Sequence, residues 1–150
     1  MKTIQASKTE VEVLIKKELG IDYCAEDNMY DVPEVSAFGK TRMQKILGMK
    51  ELFYIAEGWD CDDFAMHLRY ELKMRYWNKH VKKHGSRGGE THKPSVFVQE
   101  IKVKHPNRKT PHWFVACIAN VNGKATLIYR ERTKDNIITP SSGWKLVKLT

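Results

Sequence analysis

"HWFVACIANVNGKATLIYRER" (residues 112–132) reads as two apolar strands joined by Asn122–Gly123. An Asn-Gly pair accepts the two positive-φ positions of a type I′ turn, so it is a strong short-range hairpin signal. With a two-residue turn, Val121 pairs with Lys124, Phe114 falls opposite Glu131, and His112 falls opposite Thr133. Side chains alternate along a strand, so His112, Phe114, Glu131 and Thr133 share one face. Arg130 and Arg132 take the other.

Working outward, "SVFVQEIKVK" (95–104) precedes the hairpin as a third strand, and "GWKLVKL" (143–149) follows it as a fourth. The glycine-rich, charged segment 83–94 reads as a surface loop. Upstream of that loop a helix begins after Gly58 and runs to about Lys82. Asp60 suits its N-cap. Cys61, Phe64, Ala65, Leu68, Leu72 and Tyr76 recur at spacings of three and four, the mark of a buried stripe. A second stripe, Met66, Tyr70, Met74 and Trp77, implies contact on another side.

Nearer the N-terminus, Ser7 and Glu10 form a capping box for a helix over 8–19, which Gly20 ends. Residues 21–40 read as turn-rich, and 41–56 as one or two short helices broken near Gly48. Helices first and an antiparallel sheet second predict an α+β fold, one domain over 1–150.

At 150 residues and 41% hydrophobic composition, the chain fits one core. No secretory leader and no apolar run of membrane-spanning length is expected, which points to a cytoplasmic protein without membrane contact. Three cysteines with no CxxC pair argue against a disulfide framework and against structural zinc. The net charge of +8 concentrates in 78–93 and 102–112, stretches suited to polyanions, nucleic acid or acidic partners.

Cys61 falls in the first turn of the helix, where the partial positive charge of the N-terminus favours a thiolate. A thiol nucleophile needs an imidazole within reach and a third group to orient it. Of the six histidines, His112 opens an apolar strand, and Glu131 is its diagonal neighbour on the same face. Cys117, of opposite parity to His112, reads as core.

The order of a helix-start cysteine, a strand-start histidine and a carboxylate on the next strand resembles the papain-like and transglutaminase-like cysteine enzymes. More narrowly, "WDCDDFA" (59–65) and "LIYRERTKDNI" (127–137) are similar to segments in the C-terminal domain of mushroom agglutinins and their small bacterial or phage relatives. The resemblance covers about residues 44–137. It implies a papain-like fold with Cys61 as nucleophile, His112 as general base and Glu131 as orienter. It also implies calcium near the cysteine, for which Asp62 and Asp63 would be the oxygen donors.

The expectation is therefore a small cysteine peptidase, amidase or transglutaminase-like acyltransferase acting on a peptide or protein, with no obligatory cofactor. The alternative is a basic, non-catalytic binding protein on the same fold, such as a phage-encoded inhibitor. It would contact nucleic acid, a nucleotide or an acidic protein through its basic loops.

Overall fold

The structure is a computed structural model that describes residues 3–39, 61–84, 95–104, 109, 111–130, 137–138 and 145–149. The chain begins with strand β1 (Ile4–Ser7) and passes directly into helix α1 (Lys8–Leu19). Ser7 Oγ accepts from the Glu10 amide at 3.2 Å, and the Ser7 amide donates to Glu10 Oε2 at 2.7 Å. Those two bonds satisfy donors that a helix start leaves free. Gly20 ends the helix in the left-handed region, at φ 71°.

Strand β2 (Met29–Val32) returns antiparallel to β1, forming a two-stranded sheet. A single 3-10 turn, Val35–Phe38, follows, and after it helix α2 (Cys61–His84). The remaining strands are β3 (Val98–Lys104), β4 (His112–Val121), β5 (Lys124–Arg130), β6 (Ile137–Ile138) and β7 (Lys145–Leu149). They form one sheet in the order β6-β5-β4-β3-β7, antiparallel throughout. The predicted hairpin stands in register, with Val121 opposite Lys124 and Val115 opposite Arg130.

The five-stranded sheet separates two cores. On one face Ala65, Leu68 and Leu72 of α2 pack with Val98, Val115, Cys117 and Ile128. On the other, Val11 and Ile15 of α1, with Ala6, Tyr30 and Val32, cover Ile101, Phe114, Ala116 and Ile118. β4 is buried without a break from Phe114 to Ala119, because its odd and even positions feed different cores.

Polar groups tie the layers together. Tyr76 donates to Asp31 Oδ2 at 2.7 Å, Arg69 to the Val98 carbonyl at 3.0 Å, and Arg75 to the Gly39 carbonyl at 3.0 Å. Burial, reinforced by the Asp31 carboxylate, holds the Tyr76 hydroxyl well above its ordinary pKa. Burial likewise pushes Tyr23 up to about 12.

The predicted class needs correction. Helices do not lead the chain: β1 precedes α1, β2 follows it, and strands outnumber α-helices seven to two among the described residues. The segment 21–40, expected to be irregular, contains β2 and the 3-10 turn. β1 and β2 are only four residues each, and their ladder joins residues far apart in the chain. Such pairing leaves no local periodicity to read. The helices expected over 41–56 lie outside the described residues. The papain-like label is withdrawn on the comparison reported below.

Candidate functional site

The predicted triad is only partly within view. Cys61 and Asp62 open α2, but their side chains, like the whole of Glu131, lie outside the described residues. Asp63 is half-buried on α2. The expected calcium position, Asp62 with Asp63, is thus only half described. Among the described residues no group of three or more His, Cys, Asp and Glu could hold a metal ion.

His112 is described, and its surroundings bear on the catalytic expectation. Its ring meets Phe114 edge-on at 4.7 Å between centroids. Phe114 belongs to the core beneath α1, whereas α2 packs on the face of Val115 and Cys117, with Trp113 beside them. His112 therefore projects from the face of the sheet turned away from the helix that Cys61 opens. Cys117 is fully buried, and burial pushes its thiol well above the ordinary range, against the lowering pull of Arg130 and Arg75. It is core, as expected.

Arg69 bonds the Val98 carbonyl and Tyr76 bonds Asp31, which bridges to Val96, so α2 runs opposite in direction to β3. From Arg69 back to the start of the helix is about 12 Å of axial rise. The positive pole of the helix therefore lies toward the Lys102–Lys104 end of the sheet.

That end carries a concentration of cations. In the β3–β7 ladder Lys102 stands opposite Lys148, and Lys104 stands opposite Lys145. The register shifts between Lys102 and Val103, so that β7 spends three steps where β3 spends two. Strict alternation would send Lys145 and Lys148 to opposite faces. The bulge instead rephases the strand, placing each opposite a lysine of the same β3 row. The same shift lets Leu146 and Leu149 both pack on the α1-side core. Lys102 Nζ also lies 5.5 Å from the centre of the Trp113 ring, a cation–π distance.

Like charges directly opposite one another weaken a sheet. Lys104 and Lys145, both exposed, form such a pair, whose repulsion a bound anion would relieve. The sequence signal was half visible: the basic stretch 102–112 contains Lys102 and Lys104, but their partners lie more than forty residues onward.

At the far end of β4 a concavity of about 440 Å³ is lined by Glu34, Val35, Ser36 and the Asn120–Gly123 turn. Two hydrogen bonds shape it: Asn120 Oδ1 accepts from the Gly123 amide at 2.8 Å, and the Asn120 amide donates to the Pro33 carbonyl at 2.7 Å.

Comparison with known proteins places this fold. No family model matches the chain, and no curated protein does. Among solved structures it is similar to a Polyporus squamosus lectin, crystallised with the human-type influenza-binding epitope Neu5Aca2-6Galb1-4GlcNAc. The TM-score is 0.66 at 14% identity, over 97% of this chain and 49% of the lectin chain. The chain thus spans about half the length of that lectin. This finding corrects the expected kinship: the solved structure that the chain is similar to is described as a lectin, not as a papain-like or transglutaminase-like enzyme. The Cys-His-Glu hydrolase is set aside with it. No helix among the described residues is long and apolar enough to cross a membrane.

Proposed function

We propose that the chain is a binding module that holds a polyanionic ligand at the lysine-paired end of its five-stranded sheet. The observation that carries this reading is the bulged β3–β7 ladder, which sets Lys145 and Lys148 opposite Lys104 and Lys102. Lys102 and Lys104 lie about 7 Å apart along β3, and cross-strand neighbours are about 5 Å apart, so the array offers positive charge at spacings that suit a chain of anionic groups. The net charge of +8 draws such a ligand in from solution. Exposed Lys79, Lys82 and Lys83 extend the basic character at the other end of α2, within the 78–93 stretch.

The epitope in the lectin structure carries a single carboxylate, on its Neu5Ac unit, and serves as the monoanionic arm of the test. The shared chemistry is an oligomer bearing phosphate, sulfate or carboxylate groups. Fluorescence titration with heparin, oligo(dT) and Neu5Aca2-6Galb1-4GlcNAc, each across a salt series, separates the sources. Retention that weakens with salt, and that falls when Lys102 and Lys104 are both changed to glutamine, supports the proposal. Equal binding by wild type and that variant defeats it.

A further inference from the structure

Lys102 differs from its neighbours in the lysine ladder. Lys104 and Lys145 are exposed, whereas Lys102 is half-buried, with its Nζ 5.5 Å from the centre of the Trp113 ring. The strand register makes this contact, since Lys102 and Trp113 are direct partners across β3 and β4. The Ile118 amide donates to the Phe97 carbonyl at 3.3 Å. Alternation along the ladder then makes Lys102–Trp113 a non-hydrogen-bonded pair, the kind in which side chains approach most closely. The ring is itself packed against the α2-side core, which fixes its place.

A cation over an aromatic face is held by the ring quadrupole and spends no N–H donor on the contact. The three donors of the Lys102 ammonium therefore stay available to an anion. A solvated lysine gives up rotamer freedom when it grips a ligand, and a lysine already resting on a ring gives up less. Exposed Lys104 and Lys145 contribute charge, and Lys102 contributes a fixed point.

We infer that Trp113 is a positioning residue of the anion site: its ring holds the Lys102 ammonium in place, and the ligand contacts the ammonium and not the ring. This inference rests on the polyanion reading and adds the residue that orders one of its cations. It also sets what the ligand must supply. Anionic groups suffice, so heparin, which has no aromatic group, gains from Trp113 as much as oligo(dT) does.

The test titrates labelled heparin and oligo(dT) by fluorescence anisotropy across a salt series. The proteins are wild type, Trp113→Leu, Trp113→Phe, Lys102→Gln and Lys102→Gln/Trp113→Leu, with thermal melting confirming that each is folded. Trp113→Leu is expected to weaken both ligands about two- to fivefold, with the salt slope unchanged because no charge is removed. Trp113→Phe keeps an aromatic face and should recover most of that loss. In the Lys102→Gln background Trp113→Leu should cause no further loss, because the cation it positions is gone. Should Trp113→Leu fail to fold, the Trp113 indole signal in ¹⁵N NMR decides, assigned by its loss in Trp113→Phe. It should move when Lys102 becomes glutamine, and should respond to heparin in the wild type only. Unchanged or tighter binding by Trp113→Leu would overturn the inference, and so would an equal loss in the Lys102→Gln background. A loss confined to oligo(dT) would overturn it too, since a base would then be stacking on the ring. No salt-dependent binding by the wild type would remove the polyanion reading, and this inference with it.

Discussion

In a Lys104→Glu variant, the ammonium opposite Lys145 becomes a carboxylate, and one of the two like-charge pairs in the β3–β7 ladder becomes an attractive pair. Cross-strand charge pairs contribute roughly 0.2–1 kcal/mol, with the sign set by the charges. Both side chains are exposed, so solvent screening keeps the swing to about 0.5–1 kcal/mol. For a chain of this size that corresponds to a rise in Tm of about 1–4 °C. Binding moves the other way. Each cation lost from a single-stranded polyanion contact reduces the salt slope by about 0.7 and, relative to 1 M salt, weakens binding at 0.1 M about fivefold. Charge reversal counts roughly twice, so affinity for oligo(dT) should fall about 25-fold at 0.1 M salt. Scanning calorimetry and anisotropy titration on the same preparation read the two effects. A lower Tm, or affinity within about twofold of wild type, would refute the idea that this ladder gives up stability to hold an anion.

Three further outcomes follow from the fold. Tyr76, Tyr30 and Tyr129 are raised and Tyr23 lies at about 12, so all four bind protons more tightly folded than unfolded. Their contribution is complete below pH 10 and is lost as pH climbs above it, so denaturant titrations from pH 9 to 12 should show stability falling, with a smaller fall in Tyr76→Phe. Gly123 sits at φ 83°, and Gly123→Ala should cost about 1–2 kcal/mol by urea unfolding while leaving oligo(dT) affinity unchanged. Leu72, fully buried between α2 and the sheet, should cost about 2–5 kcal/mol when changed to alanine, and a loss below 1 kcal/mol would contradict the packing described.

How much of this was legible beforehand depends on the range of each interaction. Helix α1 ran from Lys8 to Leu19 as its capping box and Gly20 predicted, because capping is a matter of three neighbouring residues. The Asn122–Gly123 hairpin and its register were readable for the same reason. β1 and β2 were missed because four-residue strands carry little pattern and their pairing spans the whole of α1.

The lysine ladder was invisible for a related reason. Lys145 and Lys148 join the β3 row through a bulge that no spacing rule within "KLVKL" reveals. The catalytic expectation used strand alternation, which tells which side chains share a face. It does not tell which layer covers that face. His112 shares a face with Phe114, but α2 covers the other one.

The central claim is that anions bind at the lysine-paired end of the sheet. Its most direct test is backbone amide NMR on ¹⁵N-labelled protein titrated with heparin or oligo(dT) at 0.1 M salt. The account predicts that the largest shift changes cluster at Lys102–Lys104, Trp113 and Lys145–Lys148 and shrink in Lys102→Gln/Lys104→Gln. Changes centred instead on Glu34, Ser36 and the Asn120–Gly123 turn, with residues 102–104 and 145–148 unmoved, would contradict it.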